Sequence, residues 1–423
     1  MVCVLASVRT FSQPAIQKVD RFLSGEFPSN KPGAVVLIAK RDTVLYRKAF
    51  GLASVEKSIA MRPDMIFQIA SMTKQFTAAA IVQLAEHGKL STDDPIQKYL
   101  EKYPGHGHTI TINHLLTQTS GIPEFFDPDE SEKHLLVKEH TPWDLISYFK
   151  DRPLDFEPGT KFAYSNSNYV LLGAIIEKVS GISYSEYMDQ FIFTPIGMKN
   201  TSVWYKPSSP AEAIVQGHPN VSISGSVVYS SGGMVSTVDD LYTWTKYWVK
   251  TKSSLFQNEG YHYGLNVTKL QGSKAIQHGG NLFGFTSSGI YLPKEEIYVC
   301  ILSNAVFRGT EMMVDYIASE MINKPVDVPS KDKAASGDLT EYTGVYRLQN
   351  STRTMKIIIT AHMLVLTFPD QPGSGADVQP VGTDTFESKK VKAKLTFTRD
   401  EKGRVKQVDV KQGKGSYTWV KES

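Results

Sequence analysis

The sequence predicts an α/β (α+β) body, an antiparallel sheet flanked by helices with a mostly helical subdomain, followed by a small all-β, barrel-like domain. Three observations predict it. Hairpin patterns stand at both ends of the first three hundred residues, helical patterns fill the space between them, and the composition changes after Ile322. A sheet built from the two distant ends accounts for the first two.

The first hairpin runs from Ala34. Ala34–Ala39 is a continuous apolar run, Arg41-Asp42 turns the chain, and Thr43–Tyr46 returns. A long helix is predicted from Ser71 to about His87, with Ala78, Ile81, Val82 and Ala85 on one face and Gly88 as its stop. Ser91–Pro95 reads as a turn into a helix over Ile96–Leu100. Leu115-Leu116 belongs to a short helix, and further helices cover Pro142–Phe149 and Tyr169–Val179. Ser288–Leu292 and Ile297–Leu302 flank the turn Pro293–Glu296 as a second hairpin, and Glu311 to about Ile322 is again helical.

Beyond that helix, 325–336 is polar and carries two prolines, which marks a linker. The body is therefore assigned to 14–324 and the β domain to 337–423. In the latter, Met355–Ile359, Met363–Phe368, Lys394–Thr398 and Val405–Val410 alternate as strands. The turns Asp400–Gly403 and Gln412–Gly415 separate them.

A net charge of +3 with scattered Lys and Arg gives no footprint for nucleic acid. The cluster Lys389, Lys390, Lys392 and Lys394 reads as a solvated face. Of the two cysteines, Cys300 falls in the apolar run of the second hairpin and reads as a small buried hydrophobe, while Cys3 is in the unspecified start. No run is long and apolar enough for a transmembrane segment. The start, Met1–Val8, is apolar but short and lacks the basic residues that open a signal peptide, so localisation stays open.

Three groups carry chemistry. Ser71-Met-Thr-Lys74 places a serine and an amine on one face of a helix, one turn apart. An amine there can take the hydroxyl proton, and the helix N-terminus favours the resulting anion. The same spacing recurs at Ser54–Lys57, Ser147–Lys150 and Ser330–Lys333, and of the four only Ser71 opens a long helix with an apolar face. Tyr164-Ser-Asn166 offers a phenol whose pKa nearby lysines would lower, and an amide to orient an amine or a carbonyl. Read alone it is more readily a core tyrosine beside a helix-capping asparagine. His278-Gly-Gly280-Asn281 permits close backbone approach, either as a strand edge that offers an N–H to an oxyanion or as a simple turn. His106-x-His108 lacks a third metal ligand nearby, and no Gly-x-Ser-x-Gly elbow or phosphate-binding glycine loop occurs.

In order and spacing these groups resemble the penicillin-recognising serine enzymes, in the branch of class C β-lactamases and their esterase and D-peptidase relatives. Leu90–Pro95, Ile112–Gly121, Phe156–Gly159, Pro195–Met198 and Gly232–Ser236 extend the resemblance over Gly33–Ile322. The segment after Gly337 resembles the lipocalin-like barrel that some relatives carry. The resemblance implies a serine hydrolase that cleaves ester or amide bonds, D-amino-acid peptide and β-lactam bonds among them, through an acyl-enzyme. It implies Ser71 as nucleophile, Lys74 and Tyr164 as the acid–base pair in either assignment, and Asn166 against Lys74. It further implies His278 and Gly280 in the third motif, and the N–H groups of Ser71 and Asn281 as the oxyanion hole. No cofactor or metal is implied, and the partner is a small-molecule or peptide substrate. Oligomeric state stays undetermined, and the resemblance leans toward a periplasmic or secreted location without excluding the cytoplasm.

The third motif departs from the family's Lys-Thr-Gly, in which a permanent cation and a hydroxyl hold β-lactam carboxylates. A neutral histidine and Gly279 supply neither, which favours esters or D-residue amides as substrates. Gln118 stands where relatives often show histidine. A catalytically weak penicillin-binding or sensor protein and an acyltransferase that uses the same acyl-enzyme are the alternatives.

Overall fold

The computed structural model describes residues 13–125, 137–203, 215–217, 224–282, 284–305, 309–326, 339–360, 363–368, 376–382, 384–388, 391–413 and 415–422. The apolar start with Cys3, Lys389, Lys390, and residues 327–336 of the expected linker with Ser330 lie outside them. The chain divides into two compact units, Met1–Val326 and Asp327–Ser423.

The first unit runs through α1 (Gln13–Glu26), β1 (Ala34–Lys40), β2 (Thr43–Phe50), α2 (Thr73–Glu86), α3 (Asn166–Ser180) and α4 (Val238–Thr251). It continues through β3 (Gly260–His262), β4 (Leu265–Leu270), β5 (Ser273–Leu282), β6 (Phe285–Leu292), β7 (Ile297–Ser303) and α5 (Thr310–Met321). The seven strands form one antiparallel sheet in the order β2-β1-β7-β6-β5-β4-β3. Ala34 pairs with Ser303 and Lys40 with Ile297, so the chain's early and late segments meet at the sheet centre.

The unbroken apolar run of β1 follows from this position. Val35, Leu37 and Ala39 face one core, while Ala34, Val36 and Ile38 face the other. Cys300 and Leu302 of β7 join the first core, and Val299 and Ile301 the second. Residues of α2, α3 and α4 pack in the first core, and residues of α1 and α5 in the second. Cys300 is fully buried, and burial pushes its thiol up to about 12.

Local chemistry explains where elements depart from expectation. The helix expected from Ser71 begins at Thr73, because Ala70–Met72 first forms a single 3-10 turn. Ala70 takes φ 47°, and the Met72 amide donates to Ile69 O at 3.2 Å. Ile96–Lys98 is likewise one 3-10 turn after an extended Pro95, not a helix to Leu100. The helix expected from Tyr169 starts earlier, at Asn166, and ends at Gly181 with φ 76°. The helices at Pro142–Ser147 and Ile112–Leu116 are each capped by a threonine that accepts from the third helical residue's amide.

The second unit is a closed barrel of eight strands, β8 (Gly344–Leu348), β9 (Thr354–Thr360), β10 (Met363–Thr367), β11 (Ala376–Gly382), β12 (Thr385–Ser388), β13 (Ala393–Arg399), β14 (Val405–Gln412) and β15 (Gly415–Lys421). Pairing of Tyr346 with Lys421 closes it. Closure removes the free edges, and Ile357, Leu366, Phe386, Leu395, Val408 and Trp419 fill an apolar interior.

Asn304, fully buried after β7, clips three segments together. Its Oδ1 accepts from the Gly33 amide at 2.8 Å, and its Nδ2 donates to the carbonyls of Leu52, Ala53 and Gln216 at 3.0, 3.1 and 2.8 Å. Asn304→Ala strands buried backbone groups, each costing about 1–3 kcal/mol. The urea transition of the first unit, followed through the buried Trp244 and Trp248, is expected to lose at least about 3 kcal/mol. A change below about 1 kcal/mol would show that the clip is dispensable.

Candidate active site

The site forms where the 3-10 turn, the start of α3 and the far half of β5 converge. Ser71 is held on the sheet through its neighbours. Ser287 Oγ on β6 donates to Ile69 O at 2.8 Å. A Cβ added at Gly280 would fall 2.5 Å from Ile69 O and 2.9 Å from the Ser71 amide nitrogen. Only glycine therefore lets β5 close on the turn that carries Ser71. The third motif is strand, Ser273–Leu282, and not a turn. Pairing with β4 covers only Ser273–Gln277, so from His278 onward that edge of β5 has no strand partner.

Lys74 is fully buried one turn beyond Ser71. Its Nζ lies 3.2 Å from Ser71 Oγ, 2.6 Å from Asn166 Oδ1 and 2.7 Å from Ser231 O. Burial lowers its pKa from 10.5 to about 7, against the opposing pull of the Glu124 carboxylate. A neutral amine has two N–H donors and one lone pair. The two carbonyl oxygens take the donors, which leaves the lone pair for the Ser71 hydroxyl.

Tyr164 lies beside this amine, with Lys74 Nζ 4.9 Å from its ring centroid. The lowered phenol pKa expected from nearby cations is overturned. Burial, then Tyr261, holds the phenol well above its usual range, against the opposing hydrogen bond with Ser71. The physical reason is that the adjacent lysine is itself desolvated, so it supplies little positive charge to offset burial of a phenolate. By surface area the residue as a whole is 39% exposed.

His278 is buried and neutral, its pKa lowered to about 4 by burial and by the charge of Lys74. Its Nδ1 lies 2.5 Å from Gly279 O, which makes Nδ1 the protonated nitrogen, and Nε2 is 3.3 Å from the Tyr261 hydroxyl. Tyr261 packs edge-on to Tyr164 at 5.9 Å and beside Phe162, which is 57% exposed. Asn281, exposed on β5, is paired with Thr286.

Ser71, Lys74, Tyr164, Asn166, His278 and Gly280 come together, with His278 turned toward Tyr261 and uncharged, and Asn281 follows Gly280 on the same strand. Ser54, the rival serine, instead donates to Gln216 at 2.6 Å. His106 Nε2 bonds the Lys150 carbonyl at 2.8 Å. Several contributors escaped the sequence. Glu124 Oε2 accepts from the Asn166 amide at 2.7 Å and its Nδ2 at 3.1 Å, fixing Oδ1 toward Lys74. Gln118 Oε1 accepts from the Ser165 amide at 3.0 Å and Asn168 Nδ2 at 2.5 Å, bracing the segment that bears Tyr164. Its departure from the usual histidine was a visible signal, whereas the Ser231 carbonyl carries no signal at all. It is held in place behind Tyr229, which sits at φ 33°, ψ −131° inside the Gly225–Gly232 helix.

Comparison with known proteins follows the same division of the chain. The family model for β-lactamase matches residues 25–320, and a domain of unknown function (DUF3471) matches 328–421. Protein flp of Staphylococcus aureus (strain MW2) is 30% identical over 337 residues, which cover 73% of this chain and 66% of that relative. This chain thus spans just under two-thirds of that protein's length. The octameric penicillin-binding protein homologue from Pyrococcus abyssi is 26% identical and superposes with TM-score 0.67 over 96% of this chain and 100% of that one. A D-stereospecific amidohydrolase from Streptomyces sp. is 25% identical, with TM-score 0.61 over 72% of this chain and 98% of its own. The chain belongs to the β-lactamase family, whose fold it shares with penicillin-binding-protein-like serine hydrolases.

Proposed function

We propose that the protein hydrolyses ester or amide bonds through an acyl-enzyme on Ser71, with Lys74 as general base and Tyr164 as proton donor. The observation that carries this is the buried Lys74 amine, whose pKa of about 7 leaves a lone pair toward Ser71. In acylation Ser71 Oγ attacks the substrate carbonyl carbon while its proton passes to Lys74 Nζ. The amides of Ser71 and Asn281 stabilise the oxyanion, each worth about 10²–10³ in rate. Tyr164 gives its proton to the leaving oxygen or nitrogen, and Lys74 returns one to the phenolate. Water then repeats the attack on the acyl carbon and frees Ser71.

Substrate class follows from the third motif. With a neutral His278 and no hydroxyl at 279, the strand lacks the cation that a β-lactam carboxylate requires. The D-stereospecific amidohydrolase among the structural relatives accords with esters or D-residue amides. The exposed Phe162 beside Tyr261 and Tyr164 offers an apolar wall to such substrates.

A fluorophosphonate probe is expected to add once, on Ser71, and not to label Ser71→Ala. A folded, unlabelled wild type would favour the binding-protein alternative. The rate constant kcat/KM is expected to rise with pH through about 7, because only neutral Lys74 accepts the serine proton. No alkaline fall is expected below about pH 9.5, since the Tyr164 phenol stays protonated there. Lys74→Arg, charged at every working pH, is expected to lose roughly 10²–10⁴ in kcat together with the acid limb. An acid limb near pH 10 would reassign the base. Short p-nitrophenyl esters are expected to turn over faster than nitrocefin, and the reverse order would restore β-lactams as the substrate class.

A further inference from the structure

Gly279 faces Glu311, the second residue of α5. A Cβ at position 279 would collide with Glu311 Oε1. A threonine side chain at this position, as in the family's usual third motif, would meet that carboxyl. Burial of the carboxyl raises its pKa, and among the described residues no cation or donor offsets it. Its negative charge is felt on both sides. It helps push Asp315, one turn along α5, up to about 6, and it contributes to the raised phenol of Tyr164. The flank of Glu311 is nevertheless exposed, so a ligand can reach it from solvent.

We propose that Glu311 is a specificity-determining residue that selects substrates carrying an ammonium group on the leaving-group side and rejects those carrying a carboxylate there. The inference rests on the serine-hydrolase reading and deepens it. Where relatives present a cation to a substrate carboxylate, this chain presents a carboxyl, without a counter-charge among the described residues, beside a neutral His278. An incoming ammonium supplies a counter-charge that no described residue offers, whereas a second carboxylate meets like charge in a partly desolvated place. Glu311 makes no contact with Ser71 or Lys74 and acts on recognition alone.

Three phenylacetyl esters test this, with leaving groups phenol, 3-(aminomethyl)phenol and 3-hydroxybenzoate. Wild type is expected to prefer the amine ester over the carboxylate ester by at least about tenfold in kcat/KM, with the neutral ester between. Glu311→Gln is expected to bring that ratio close to one, and Glu311→Lys to invert it. A wild-type ratio near one, or a ratio that Glu311→Gln leaves intact, overturns the proposal. Calorimetric binding of the two charged esters to Ser71→Ala reads the same preference without turnover. Tighter binding of the amine ester supports the proposal and equal affinity overturns it. Labelling of wild type by a neutral fluorophosphonate reports separately on Ser71, so loss of the charge preference and loss of the nucleophile are distinguishable.

Discussion

The burial of one amine organises this site. Lys74 sits with no solvent exposure among an amide oxygen, a backbone carbonyl and the Ser71 hydroxyl. Removing an ammonium from water is costly, so the amine gives up its proton near neutrality instead of near 10.5. Each surrounding element then has a definite task. The start of α3 brings Asn166, Glu124 holds that amide in one orientation, and the chain behind Tyr229 turns the Ser231 carbonyl inward. Two acceptors for two N–H groups leave the lone pair one direction, toward the nucleophile.

The sheet serves this arrangement by bringing β5 against the Ser71 turn. Contact at that distance requires glycine at 280, and the Ser287 hydroxyl on the neighbouring strand ties down the Ile69 carbonyl at the same place. The phenol and the imidazole beside the amine follow its electrostatics. Tyr164 keeps its proton because it is buried beside an amine that carries little charge, and His278 stays neutral chiefly through its own burial, with a smaller push from Lys74. Burial thereby moves the two pKa values apart, the amine's down and the phenol's up, which two unperturbed side chains would not show.

Legibility varied with the kind of signal. The long helix after Ser71 and the two hairpins carried strong periodicity and were readable to within a few residues. The 3-10 turn at Ala70–Met72 was not, because its cause is the strained backbone at Ala70 and the packing of β5, neither of which has a sequence period. The strand bearing His278 was ambiguous for a related reason. Two glycines read as a turn unless something is known to press against them, and the segment that presses on Gly280, Ile69–Ser71, is remote in the chain. Several barrel strands, such as Thr385–Ser388, were too short to register before closure supplied their partners.

By itself the sequence determined the residue types and their order: a serine and lysine one turn apart, a tyrosine and asparagine two apart, and a glycine pair beside a histidine. These follow from local spacing, which survives in one dimension. Tertiary structure decided the protonation states and the companions. Burial brings the lysine's pKa down to about 7 and raises the tyrosine's, and Glu124, Gln118, the Ser231 carbonyl and Glu311 stand where they do because the fold carries them there. Desolvation and distance depend on every atom around a group, and no stretch of sequence contains that surrounding.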